Sequence, residues 1–173
     1  MEKISIDDYR KVIEKITDSL EVVPTKSKNI YDIIKFVANY SEDFLNEIYN
    51  LAKQQKELDM ASKLFVIVQV KRFVNLNNAL KNGTIDAYLK SLDLSTKCSL
   101  RVFIPSVTYQ NNPHLKENEE QIIPLLSTSI KEDMVLEAKN AGFDNVGDWM
   151  EYIGLGALVS KDFRGKERTR KKD

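Results

Sequence analysis

Two residues head any search for chemistry in this 173-residue chain: its single cysteine, Cys98, and its single histidine, His114. A thiol and an imidazole brought together make a nucleophile and its base, and they are also ligand types of a Cys/His zinc site. One of each cannot complete such a site, so neither a metal nor a cofactor is expected. Cys98 stands in the apolar run CSLRVFI and reads as a small buried hydrophobe, whereas His114, between Pro113 and Leu115 in a polar stretch, reads as a loop residue. Acidic pairs occur at Asp7-Asp8, Glu42-Asp43 and Glu119-Glu120. Paired carboxylates do acid–base work only when burial or a partner shifts one of them. Neighbouring acids near helix starts are accounted for by the positive end of the helix dipole. Gly154-Leu155-Gly156 lies within an apolar run and suits close packing better than a phosphate cradle. The expectation is a protein that is not an enzyme.

Composition frames what must position these residues. Hydrophobic residues make up 42% and charged residues 30%, the proportions of a globular protein. The formal net charge is zero, which gives no global attraction to nucleic acid or to an anionic membrane. The distribution is uneven: residues 161–173 carry seven Lys/Arg against three Asp/Glu, a local charge of +4. A lone cysteine rules out an intrachain disulfide and suits a reducing compartment. No apolar leader opens the chain, and the run 64–68 is too short for a bilayer. A cytoplasmic protein with no membrane contact follows.

The first ninety-odd residues read as helices. Ile6, Tyr9, Val12, Ile13, Ile16 and Leu20 recur at spacings of three and four, an amphipathic helix over residues 5–20 that Ser5 caps and Pro24 stops. A second helix covers 29–40, with Ile30, Ile33, Ile34 and Val37 inward, and a third, capped by Ser41, covers 41–58 on Leu45, Ile48, Leu51 and Ala52. Residues 64–70, LFVIVQV, fit either a buried strand or a buried helix. The pattern continuing through Phe73, Val74, Leu76 and Leu80 to Asn82-Gly83 favours one long helix over 60–81. Thr84 then caps a short helix through Leu92. From residue 97 the character changes: 98–104 is strand-like and stopped by Pro105, and 110–120 is a polar loop.

The stretch 121–159 is the most informative. In LLSTSI, Leu126, Thr128 and Ile130 would point one way from a strand, and Leu125, Ser127 and Ser129 the other. A helix over 132–141 places Met134, Val135, Ala138 and Ala141 on one face. Gly142 suits a left-handed cap with Phe143 behind it, and Val146, Trp149, Met150, Ile153 and Leu158 form a second apolar face. The fold class expected is mainly α (α+β): a helical assembly domain at 1–95, a small strand–helix–helix α+β domain at 96–160, and a disordered basic tail at 161–173.

This order of elements resembles the ribbon–helix–helix DNA-binding family. The residues that carry the likeness are Ser129-Ile130-Lys131-Glu132-Asp133, Ala138-Lys139-Asn140-Ala141-Gly142-Phe143 and Val146-Gly147-Asp148-Trp149-Met150, within about 35 residues. The resemblance implies a homodimer whose paired strands enter the major groove. Ser127 and Ser129 would then face the bases, and amides near Gly147 would hold a phosphate, with Lys131 and Asn145 beside them. The chain departs from the family in carrying serines where bidentate base contacts need Arg, Lys, Asn or Gln, and in having Gly147 where the family favours Ser. Arg164, Lys166, Arg168 and Arg170 of the tail would add non-specific phosphate contacts.

A looser likeness runs over more of the chain. Residues SEDFLNEIYNLAK and KRFVNLNNALKNG, then Leu100-Arg101-Val102, Leu115 to Asn118 and Ile123-Pro124, resemble the GINS replication-scaffold subunits. That likeness implies a helical domain before a small β-containing one, a hetero-oligomer and no affinity of its own for DNA. The leading expectation is a non-catalytic DNA-associated protein in transcription regulation or replication with a helical oligomerisation domain, and the alternative is a protein–protein scaffold subunit of a replication complex.

Overall fold

A computed structural model describes residues 33–108 and 113–154, together with Lys11 and Glu14; of 106–108 and 113–118 it describes the backbone alone. After a helical turn at 33–37 come six helices: α1 (Glu42–Gln54), α2 (Leu58–Asn82), α3 (Ile85–Ser91), α4 (Leu94–Thr108), α5 (Pro113–Asn140) and α6 (Val146–Tyr152). Lys11 and Glu14 are helical and exposed, consistent with positions off the apolar stripe of 5–20; the rest of that expected helix, and the basic tail, lie outside the described residues.

The helix α2 is the axis of the molecule. Its 25 residues span roughly 38 Å at 1.5 Å per residue. Ile67, Val68, Gln69 and Val70 are buried in succession, so this part of α2 is covered on every side rather than along one stripe. That environment explains why LFVIVQV looks strand-like yet is helical: β-branched residues serve a helix that has no solvent face, and Gly83, with φ +71°, ends it. The helix α1 packs on α2, α4 packs on α5, and α2 also meets α3, α4 and α5. Leu45, Ile48, Ala52, Leu64 and Ile67 form one part of the core, while Phe73, Leu76, Leu89, Leu100, Ile104, Ile122 and Leu126 form the next. Ile34 and Phe103 border both, so the two parts are continuous. Leu94 and Met134 extend the apolar interior to a third group, Ala138, Trp149 and Met150.

The expected α+β character of the second half is corrected: no strand is present among the described residues. Residues 98–104 belong to α4, and 125–130 sit in the middle of α5. The decisive observation is at Thr128. A strand would place it beside Leu126 and Ile130, but those two are buried and Thr128 is exposed. Burial instead follows Ile122, Leu126, Ile130 and Ala138, a spacing of four and eight that only a helix puts on one side. Similarly, Leu100 and Ile104 are fully buried four residues apart, and α4 runs through Pro105. The polar loop expected at 110–120 is also corrected over its described part, because α5 starts at Pro113, where a fixed φ and a missing N–H suit a first helical turn. The helix expected at 132–141 is therefore the last third of a 28-residue one.

Part of the local punctuation follows the sequence, but Thr84, expected to cap α3, makes no side-chain cap bond, and the cap on α4 at Asp93 was not expected. Ser41 caps α1 by accepting from the Phe44 amide at 3.1 Å. Asp93 does the same for α4, its Oδ1 accepting from the Thr96 amide at 2.7 Å, which holds its carboxyl below the usual range. Gly142 adopts φ +84°, and the Phe143 amide donates to the Ala138 carbonyl at 2.9 Å. These bonds satisfy the open end of α5 and turn the chain into α6.

Candidate functional site

Polar side chains gather in two places, and apolar ones stand exposed in a third. At the first, α1 delivers Glu42 from its opening turn onto one side of α2 and α3. The Glu42 carboxylate accepts from Arg72 Nε at 3.0 Å, Asn75 Nδ2 at 2.8 Å and Tyr88 Oη at 2.6 Å. Gln69, Arg72 and Asn75 follow one another at spacings of three along α2, which aligns them on one face. Arg72 also donates from a terminal nitrogen to Gln69 Oε1 at 3.3 Å. Burial, and then the hydrogen bond to Glu42, push the Tyr88 phenol well above its ordinary range, so it stays a protonated donor. A carboxylate already held by three donors, beside a phenol that keeps its proton, is arranged to join helices rather than to move protons.

At the second place, Lys97 of α4 is buried and donates to Asp133 of α5, the two side chains being 2% and 30% exposed. Cys98 is half-buried nearby. Burial, followed by the charge of Asp133, raises its thiol above the ordinary value, the opposite of what a thiolate nucleophile requires. His114 falls in the first turn of α5. Among the described residues no group of three or more His, Cys, Asp or Glu is arranged to hold a metal ion.

The third place is the last part of α5 together with the end of α6. Val135, Leu136, Tyr152 and Ile153 all stand exposed there, Leu136 at 58% and Tyr152 at 76%. The Phe143 ring lies 5.2 Å from that of Tyr152. Between residues 132 and 152 the sequence has six Asp/Glu and one Lys, a local charge of −5, and Glu132, Glu137 and Asp144 are exposed. Sequence periodicity placed Val135 and Ile153 on inward faces. They are outside because the inner side of α5 is the one bearing Ile130 and Ala138, and that of α6 the one bearing Trp149 and Met150.

The residues expected to contact DNA are distributed as follows. Ser127 and Ser129 are partly buried on α5, and the Ser127 hydroxyl accepts from Arg101 Nε of α4 at 2.9 Å. Lys131 is exposed one residue past Ile130. Asn145 caps α6: its Oδ1 accepts from the Asp148 amide and its Nδ2 donates to the Asp148 carboxylate, both at 2.8 Å. Gly147 is buried in the first turn of α6. Arg164, Lys166, Arg168 and Arg170 lie outside the described residues. Glu42, Arg72, Asn75, Tyr88, Lys97 and Asp133 went unnoticed as partners, since each pair is separated by thirty or more residues. No helix among the described residues is long and apolar enough to cross a membrane. The chain matches no family model, no curated protein and no solved structure.

Proposed function

We propose that this chain is a non-catalytic helical scaffold that receives a partner protein on the outer face of α5 and α6. The observation that supports the reading is the exposure there of Val135, Leu136, Tyr152 and Ile153 among carboxylates. Large apolar side chains left exposed among carboxylates have the character of a protein-binding surface. Tyrosine is among the residue types enriched at the positions that dominate binding. The role accords with the scaffold function implied by the GINS-like resemblance. Affinity capture from the source cells tests it, comparing the wild type with Leu136→Asp/Tyr152→Asp. Both positions are exposed, so the thermal midpoint stays within a few degrees. A partner retained by the wild type and lost with the variant supports the scaffold; equal retention by both overturns it.

A second reading, contact with DNA, is favoured by the tail alone, with its seven Lys/Arg. The tail follows a segment, 113–154, that holds nine Asp/Glu and three Lys/Arg, a charge of −6 that repels phosphate. Fluorescence anisotropy on a labelled duplex across a salt series, with the full chain and with a chain ending at Ser160, separates the readings. Binding that disappears with the tail indicates a purely electrostatic contact, and no binding at low salt by either protein removes DNA from consideration.

A further inference from the structure

We propose that Asn82-Gly83 is a self-modifying site, where the asparagine converts without an enzyme to aspartate and isoaspartate, and that the conversion loosens the joint between α2 and α3. Asparagine is a thermolabile residue, and the residue that follows it governs its lifetime. The backbone nitrogen of that next residue, once deprotonated, attacks the side-chain carbonyl carbon Cγ. A bond forms between nitrogen and Cγ, the Cγ–Nδ2 bond breaks, and ammonia leaves behind a cyclic imide. Water then adds to one of the two imide carbonyls. Opening at Cγ gives aspartate, and opening at the main-chain carbonyl gives isoaspartate. Ammonia and water are the only species exchanged, and nothing is oxidised or reduced.

Three observations place this chemistry at Asn82. The first is its neighbour: no other asparagine in the chain is followed by glycine, which has no side chain to hinder the attacking nitrogen. The second is access. Asn82 and Gly83 are both exposed, and no atom beyond the chain neighbours lies within 4 Å of where a Cβ on Gly83 would stand. The third is position. Asn82 is the last residue of α2, so its carbonyl has no intrahelical donor to give up when the residue leaves helical angles for ring closure. The Gly83 amide is shared between the carbonyls of Ala79 and Leu80, at 3.3 Å from the second, and is therefore loosely held.

The products act on the joint in two ways. Either one puts a carboxylate at the C-terminal end of α2, where the helix dipole disfavours negative charge. Isoaspartate also routes the main chain through Cβ and Cγ, lengthening it by one carbon. The Thr84 amide donates to the Ala79 carbonyl at 2.8 Å, the bond that turns the chain out of α2. With a longer backbone, that bond and the buried seats of Ile85 and Leu89 no longer fit together. The helix α3 carries Tyr88, whose hydroxyl donates to Glu42 at 2.6 Å, so a displaced α3 weakens the hold on α1 as well.

Ageing the full chain at neutral and at mildly basic pH tests this, with peptide mass analysis and chromatographic separation of aspartyl from isoaspartyl forms. Asn82 should lose its amide, yield both products and react faster at the higher pH, because the attacking nitrogen must be deprotonated. Asn140 is the matched comparison: it is exposed and ends α5, but Ala141 follows it. An Asn140 that loses its amide as fast as Asn82 overturns the inference. So does aspartate as the sole product, which direct hydrolysis would give. Thermal midpoints read the joint. The isoaspartyl form should melt several degrees below the fresh protein, with Asn82→Asp, which has the charge but not the longer backbone, in between. An isoaspartyl form as stable as fresh protein overturns the effect on the joint. Asn82→Ser has no reactive amide and should keep its midpoint through ageing; a fall equal to that of the wild type would trace the loss to another site and overturn the assignment.

Discussion

Glu42 and Asp133 are both carboxylates that hold a basic side chain from another helix, and they do so in opposite settings. Glu42 is surrounded: Arg72, Asn75 and Tyr88 donate to it from α2 and α3. Asp133 keeps a side chain 30% exposed while its partner Lys97 is almost wholly buried. At the α1–α3 end the acid is the saturated member of the pair. At the α4–α6 end the cation is the submerged one, and the apolar surplus stands outside on Val135, Leu136 and Tyr152. The difference separates two tasks. One end uses its polar groups to lock helices together; at the other, the Lys97–Asp133 pair and the Arg101–Ser127 hydrogen bond join α4 to α5 while apolar side chains stay exposed.

The widest test addresses the part of the core that serves both ends. Phe73 is 1% exposed between them, so Phe73→Ala should cost about 3–5 kcal/mol and lower the urea midpoint for the whole molecule in one transition. Two separate transitions would show that the ends fold independently. Next in size is Asp133→Ala, which leaves the Lys97 ammonium buried without that acceptor and should cost about 3 kcal/mol. Converting Lys97→Met in the same protein should return much of the loss, because an apolar side chain needs no partner. A double variant no better than Asp133→Ala would mean that the pair is not what joins α4 to α5.

Glu42→Gln removes the charge while keeping the shape. Hydrogen bonds to charged groups contribute about 1.5–3 kcal/mol, so a loss of about 2 kcal/mol is expected, read as a fall in thermal midpoint of several degrees. A shift no larger than that of an exposed substitution would contradict the locking role.

The smallest effect is expected at Asp93, whose cap on α4 is worth about 1 kcal/mol by comparison with Asp93→Ala. Its sign with pH is fixed by the lowered carboxyl. The folded group ionises more readily than the unfolded one, so the contribution is fully present above the ordinary value of 3.8. It is lost as pH falls through the folded value below that. Denaturation of wild type and variant from neutral pH down to acid should therefore show a constant gap that closes only at the acid end. A gap that widens with acid would show that Asp93 is not the cap.

Much of the helical architecture could be read directly from residues. Ser41 before an apolar stripe, Asn82-Gly83 after one and Gly142-Phe143 after another each marked a helix end, and each does so through its own short-range bonds. The surface on α5 and α6 was half legible. Its apolar residues were visible, but the neighbour that each helix turns towards was not, so Val135 and Ile153 were assigned to the inside.

The sequence by itself determined the capped, amphipathic elements and the charge contrast between 132–152 and 161–173. These follow from interactions within a few residues, or from counting. Only the tertiary structure decided whether LLSTSI is strand or helix. Its three apolar residues, Leu125, Leu126 and Ile130, are too few to fix a period, and the choice fell to Leu100, Ile104 and Phe73, against which Leu126 and Ile130 pack while Thr128 does not. The same holds for Glu42 with Tyr88 and Lys97 with Asp133. Residues 46 and 36 positions apart become partners only once α2 and the α4–α5 pair have set the distance between them.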